Sequence, residues 1–345
     1  MTSCRNLSTR KVFVDQKACT LMDLCANSLM SIVGLEASRN RKISFSGRYP
    51  ESEEQHEIVL SSGLPKVLGF AGEEPEGFLC FKLRRGRKGD GAAESSTEAE
   101  RVTTRLAQYV DHCLWQYGHT LAPRGRDMLC KLVGEVLANA EDHSDTRSWW
   151  VSGYLRHRGE DYGDCHITII NFGQTLAQSL QCLPSTSLLR RDIEGLTSEH
   201  TRQGFFHLFG SNWTQDDLWA LYALQEGVSR HNKEADKIGG RGVGTAEMIE
   251  FFQELGRCHE EGSAPKMCVV SGRTQFLFDG RYRMKSEPTA AGETRRIIAF
   301  NDDNDLQKPP NASCVRRLKR FFPGTVISLR FYLDRRHLAD MIRKD

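Results

Sequence analysis

Three stretches of the chain carry side chains whose types and spacing could do chemistry. Glu135, Asn139 and His143 recur every four residues. On a helix they would line one flank of an apolar stripe made by Leu129, Leu132, Val133, Val136, Leu137 and Ala140. An acid, an amide and an imidazole in such a row can line a pocket while the helix stays anchored, although the same pattern suits a solvated face. The second stretch is an apolar run that ends at Asn171 and passes through Gly173 to Thr175. A side-chain amide both donates and accepts, as recognition of a base edge requires, and a glycine lets backbone approach a ligand. Alone, this is also an ordinary strand-to-helix turn. The third stretch is Gly239, Gly240, Arg241, Gly242, Val243, Gly244 and Thr245, with a helix expected from Ala246. Successive backbone N–H groups at a positive helix end form a cradle for phosphate. No lysine follows the last glycine, so it is not a Walker A loop, and the charged residues 232–236 argue against a dinucleotide fingerprint.

In this order and spacing, the three stretches resemble the N-box, G1-box and G2-box of the GHKL superfamily of ATP-binding domains. Histidine kinases, gyrase B subunits, Hsp90 chaperones and MutL repair proteins share these boxes. The resemblance covers roughly residues 105–335 and includes Gly324-Thr325 at the start of a late apolar strand. It implies an α/β (α+β) two-layer sandwich of the Bergerat type, with a mixed sheet and ATP held between the N-box helix and a lid. It further implies that Asn139 coordinates Mg²⁺, with Asp142 and His143 beside the nucleotide, and that Glu135 orients or deprotonates the attacking group. Asn171 would stand where the superfamily has the aspartate that reads the adenine amino group, with Gly173 and Thr175 beside the base. Gly240, Arg241, Gly242, Val243, Gly244 and Thr245 would close on the phosphates, and Thr325 would support the adenine end. Two departures stand out. Asn171 lacks the aspartate's charge, and Gly173-Gln174-Thr175 lacks the usual second glycine. The lid, residues 176–239, is longer than that of a minimal kinase, and its Trp213, Leu218, Trp219, Leu221 and Tyr222 suggest a helical insertion with its own packed face.

The spacing of Glu135, Asn139 and His143 is similar to that of anti-sigma-factor serine kinases, and residues 10–75 weakly resemble a STAS-type regulatory domain. Two functions follow from the resemblance. The first is an ATP-dependent conformational switch or ATPase in a bacterial regulatory or defence system. The alternative is a serine/threonine protein kinase of the partner-switching type. A dimerisation helix with a phospho-acceptor histidine is not found, which disfavours a two-component sensor. The expected cofactors are ATP and Mg²⁺. The expected partner is a protein, with a second copy of the chain as one candidate, and nucleic acid is disfavoured.

The elements that must position these residues divide, by length and texture, into two units. At about 150 residues per domain, 345 residues suggest two. Residues 1–97 read as a small α/β module, with strands near 12–14, 42–46 and 79–83, helices near 21–35 and from 51, and a charged Gly/Ser-rich linker at 84–97. Residues 98–345 read as the ATP-binding domain. Its expected helices run from 97 to about 118, from 124 to 144, through much of 174–230, and from 246 to 255. Its expected strands lie at 149–156, 165–171, 267–271, 274–278, 296–300 and 326–332. The charge balance of +2 puts no strong overall field on the chain. No apolar run approaches the roughly 18 residues that span a bilayer, and the first residues lack an apolar leader. The 11 cysteines include no C-x-x-C pair and are odd in number, which fits reduced, mostly buried thiols in a cytoplasm. Asn301-Asp302-Asp303-Asn304-Asp305 reads as a solvated turn, without the glycine and glutamate of a Ca²⁺ loop. Arg316, Arg317, Lys319 and Arg320 form a basic cluster ahead of the final strand that could meet nucleic acid or an acidic partner, and it reads first as the charged surface of a helix.

Overall fold

The structure, a computed structural model, describes residues 10–70, 73–87, 98–143, 148–202, 214–228, 246–247, 249, 265–288 and 294–336. The side chains of residues 128, 132, 135, 139, 142, 143, 201 and 202, all within helices, lie outside that description.

The element order begins β1 (Lys11–Asp15), α1 (Leu24–Arg41), β2 (Ser44–Arg48), α2 (Glu53–Ser62), α3 (Leu64–Val67) and β3 (Phe78–Arg87). It continues α4 (Glu98–Trp115), α5 (Pro123–His143), β4 (Ser148–His157), β5 (Tyr162–Phe172), α6 (Leu176–Gln181), α7 (Leu188–Arg202) and α8 (Gln215–Tyr222). The last strands are β6 (Lys266–Phe278), β7 (Lys285–Pro288), β8 (Thr294–Ile297) and β9 (Val315–Asp334).

Five strands form the central sheet, in the order β3-β4-β5-β9-β6. All four pairings are antiparallel, so the expectation of a mixed sheet is corrected. A short turn joins β4 to β5 as a hairpin, which forces opposite directions, and β9 then runs against β5 over eleven paired residues. Among the described residues the only parallel pairing is β1 with β2, which lies apart from the central sheet.

The helices and antiparallel sheet agree with the expected α+β sandwich in its coarse form, and helices of the N-terminal segment cover the second face of this sheet as well. On one face α4 and α5 pack Val102, Leu106, Val110, Val133 and Leu137 against Val151, Leu155, Cys165, Ile167 and Ile169. On the other face Ile32 of α1 meets Trp150, Ile170 and Val326, while Leu24 of α1 and Ile58 of α2 meet Tyr154. Eight consecutive residues of β4, from Ser148 to Leu155, are buried. A strand buried at both alternations must be covered on both faces. The neighbours Trp149 and Trp150 accordingly enter different apolar clusters.

Residues 1–97 therefore do more than precede the sheet. β3, expected inside the N-terminal module, is hydrogen-bonded to β4 from Phe78 to Arg87 and forms an edge of the central sheet. The expected boundary near residue 97 falls between two adjacent strands of one sheet. The α1–α2 pair is tied by Asn27, whose amide donates to Ser62 Oγ at 3.0 Å.

Two further differences concern the second half. Leu218, Trp219, Leu221 and Tyr222 are buried in the main core, not in a separate packed face, while Trp213 lies outside the described residues. The basic cluster at Arg316, Arg317, Lys319 and Arg320 lies on β9 and not on a helix. Runs of charge hid the strand alternation there. Arg317 turns inward to pair with the buried Asp217 at 2.8 Å, and Arg316 stays exposed. The acidic stretch 301–305 is a turn held by its own amides: Asn304 Oδ1 accepts from Ala299 N–H, and Asn301 Oδ1 from Asp305 N–H, both at 2.9 Å.

Candidate functional site

One rung of hydrogen-bonded neighbours crosses the whole sheet. Gly86 of β3 lies opposite Trp149 of β4, Trp149 opposite Asn171 of β5, Asn171 opposite Thr325 of β9, and Thr325 opposite Ser271 of β6. Side chains in register across a sheet share a face. Asn171 also shares its parity along β5 with Ile167 and Ile169, which pack under α4 and α5. The rung thus faces the layer that contains α5.

Each member has a local reason for its place. A Cβ at Gly86 would overlap the indole of Trp149, so glycine there leaves room for the ring to lie toward the sheet edge. From that position Trp149 Nε1 donates to Glu141 Oε1 of α5 at 3.1 Å, pinning the end of the helix to the rung. At the other end Ser271 Oγ accepts from the backbone N–H of Leu176 at 2.9 Å and lies 2.9 Å from Thr325 Oγ1. Thr175 caps α6 reciprocally with Gln178, so the G1-like stretch runs directly from strand into a capped helix. Gly324 has φ +143°, and a Cβ there would overlap the carbonyl oxygen of Asn171. Glycine is needed for the two strands to meet at this point. Gly173 N–H donates to Pro323 O at 3.1 Å and closes the same corner.

Asn171 is 8% exposed; its side-chain amide keeps contact with solvent, and among the described residues no group hydrogen-bonds to it. An amide bonded to no protein group can both donate to and accept from a ligand that reaches it. Of the predicted site residues, the structure therefore brings together Asn171, Gly173, Thr175 and Thr325. Glu135, Asn139, Asp142 and His143 all belong to α5, whose buried Leu129, Val133, Leu137 and Ala140 fall on the expected apolar stripe. Their side chains lie outside the description. Gly240, Arg241, Gly242, Val243, Gly244 and Thr245 lie outside the described residues altogether.

Sequence reasoning missed Ser271, Gly86 and Glu141. Ser271 looked like the polar end of a short strand, and its value depends on a partner 54 positions away. Among the described residues no group of three or more histidine, cysteine or acidic side chains is placed to hold a metal ion. The nine described cysteines are unpaired, and burial pushes Cys25 and Cys80 up to about 12, where they are protonated and inert at neutral pH. No helix among the described residues is long and apolar enough to cross a membrane.

No family model matches the chain, and comparisons with curated proteins and with solved structures yield no match.

Proposed function

We propose that the chain binds ATP with Mg²⁺ at the end of the Asn171 rung and works as an ATP-dependent conformational switch with slow hydrolysis. The observation that carries this reading is the unpartnered, solvent-reached amide of Asn171, set between Trp149 and Thr325 on the sheet face covered by α5. The amide oxygen would accept from the adenine amino group. Thr325 and Ser271 supply hydroxyls beside it. α5 is held against this rung by the Glu141–Trp149 bond. Along the same helix Asn139 lies two residues and Glu135 six residues before Glu141, about half a turn and under two turns back. Asn139 would hold Mg²⁺, which would supply positive charge beside the phosphates, and Glu135 would accept the proton of the attacking water. The glycine-rich stretch 240–245 would close over the phosphates through its N–H groups. Since α5 bears on both the rung and the core, occupancy of the site has a direct route to the packing of the whole layer.

Isothermal titration of the full chain with ATP and Mg²⁺ tests the reading. Wild type is expected to bind, Asn171→Leu to bind at least tenfold more weakly with an unchanged melting temperature, and Asn171→Asp to retain binding. Glu135→Ala is expected to keep affinity and lose phosphate release. Absence of heat with any adenine nucleotide sinks the proposal.

A further inference from the structure

β9 does not follow β6 evenly. Thr274 pairs with Arg317 and Gly272 pairs with Phe322, so the four residues Leu318, Lys319, Arg320 and Phe321 stand opposite Arg273 alone. The surplus chain bulges out of the sheet. Arg273 Nη1 donates to the carbonyl of Lys319 at 2.7 Å, which ties the bulge to β6. Gly272 adopts φ +63°, and a Cβ there would sit 3.3 Å from Thr175 Cγ2 and 3.4 Å from Phe321 Cε2. The bulge accordingly borders the corner where Thr175 and Ser271 complete the rung.

What the bulge presents is unusual for a strand end. Arg273, Arg316, Lys319 and Arg320 are all exposed, and among the described residues none forms an ion pair. Arg317 differs, since Asp217 neutralises it. The two phenylalanines part: Phe322 packs inward with its ring centroid 5.5 Å from that of Phe172, and Phe321 is 50% exposed. An exposed ring among four unpaired cations, on a backbone held in place, is the composition of a surface that stacks bases and tracks phosphates. Arg316 to Arg320 spans at most about 13 Å of strand, room for about four phosphates at the 3.4 Å rise per nucleotide of one strand. An acidic peptide would satisfy the cations and leave the ring without a partner.

We propose that the 318–321 bulge, with the neighbouring Arg273 and Arg316, is a binding site for single-stranded nucleic acid, with Phe321 as the stacking platform and Arg273, Arg316, Lys319 and Arg320 as the phosphate contacts. This does not rest on ATP binding at the Asn171 rung. It reverses the sequence-level expectation, which took the cluster for a solvated helix face and disfavoured nucleic acid. The overall charge of +2 does not oppose it, because the cations are concentrated on one segment.

Fluorescence anisotropy of the full chain with a labelled oligothymidylate and a labelled oligouridylate, each of about 20 nucleotides, tests the proposal. Wild type should bind at low salt, with log affinity falling against log salt by about 0.7 per phosphate contacted, a slope near −3 for four cations. The combined Arg316→Ala, Lys319→Ala and Arg320→Ala variant should lose at least tenfold in affinity and bring the slope near −1. Phe321→Ala should lose about fivefold with the slope unchanged, which a purely electrostatic patch would not do. Lys319→Ala alone, at an exposed position, gives a smaller loss and serves if the triple variant does not fold. Three results overturn the proposal: no anisotropy change at low salt, wild-type binding by the folded variants, or tighter binding of a glutamate-rich peptide or of duplex than of single strands.

Discussion

Asp164 shows how a single residue can matter to stability without any local signal. Its carboxylate is 3% exposed on β5, where Arg330 of β9 donates to both oxygens at 3.1 and 3.0 Å and His166 Nε2 lies 3.0 Å away. Burial disfavours its charge, but the bonds from His166 and Arg330 outweigh burial and bring the carboxyl from 3.8 down to about 2. A lowered folded-state value means the stabilisation is complete above the ordinary carboxylate range and is lost as pH falls through about 2. The difference is worth about 2 kcal/mol. Asp164→Asn should therefore lower the unfolding free energy by about 2 kcal/mol at pH 7, and the gap to wild type should close between pH 4 and pH 2. Urea unfolding at three pH values measures this, and a gap independent of pH would refute the linkage. In the sequence, Asp164 sat just outside the apolar run that began at Cys165. Its partner lies 166 positions away, so only the folded register could identify it.

Elements were legible where the pattern was local and misplaced where pairing decided. The helical stripe from Leu129 to Ala140 was sufficient to place α5, and the apolar run from Cys165 to Asn171 placed β5, both within a few residues of their observed ends. β6 was expected as two strands because Gly272 and Arg273 interrupt its alternation, yet it is one strand with a bulge at that point. β9 was expected from residue 326 and begins at Val315, since its first half carries charges that only contact with β6 and Asp217 explains. Gly86 is the sharpest case. Among Arg84, Arg85, Arg87 and Lys88 it read as part of a linker, but it is the rung position over which the Trp149 indole lies. Any side chain there must displace the ring and, with it, the bond to Glu141 that holds α5. Gly86→Ala should cost about 1–3 kcal/mol, the range for overpacking a filled site, and should weaken the near-ultraviolet dichroism of the buried indole. Thermal unfolding followed at near- and far-ultraviolet wavelengths checks it. A variant as stable as wild type would mean that the ring relaxes without effect on the helix.

At the scale of the whole molecule, the division expected near residue 97 conflicts with the way the sheet is covered. α1 and α2 bury Trp150, Tyr154, Ile170 and Val326, and β3 supplies the pairing for the outer edge of β4. Arg156 of β4 also reaches both Glu54 and Glu57 of α2, joining the two segments by charge as well as by apolar area. Composition could not reveal this, because residues 84–97 carry a linker's texture wherever the strand before them pairs. Uncovering four large side chains removes about 1.5–3 kcal/mol each, together about 6–12 kcal/mol. That is comparable to the entire stability of a typical domain, about 5–15 kcal/mol. A fragment of residues 98–345 is therefore expected to lack a cooperative melt and to associate through the bared sheet face and the open edge of β4. Size-exclusion chromatography and calorimetry of the fragment beside the full chain decide the matter. A monomeric fragment melting within a few degrees of the full chain would show that the N-terminal layer is an accessory. Loss of the melt would place residues 10–87 within the folding unit that builds the Asn171 rung, and any switching at that rung would then be transmitted through both layers of helices.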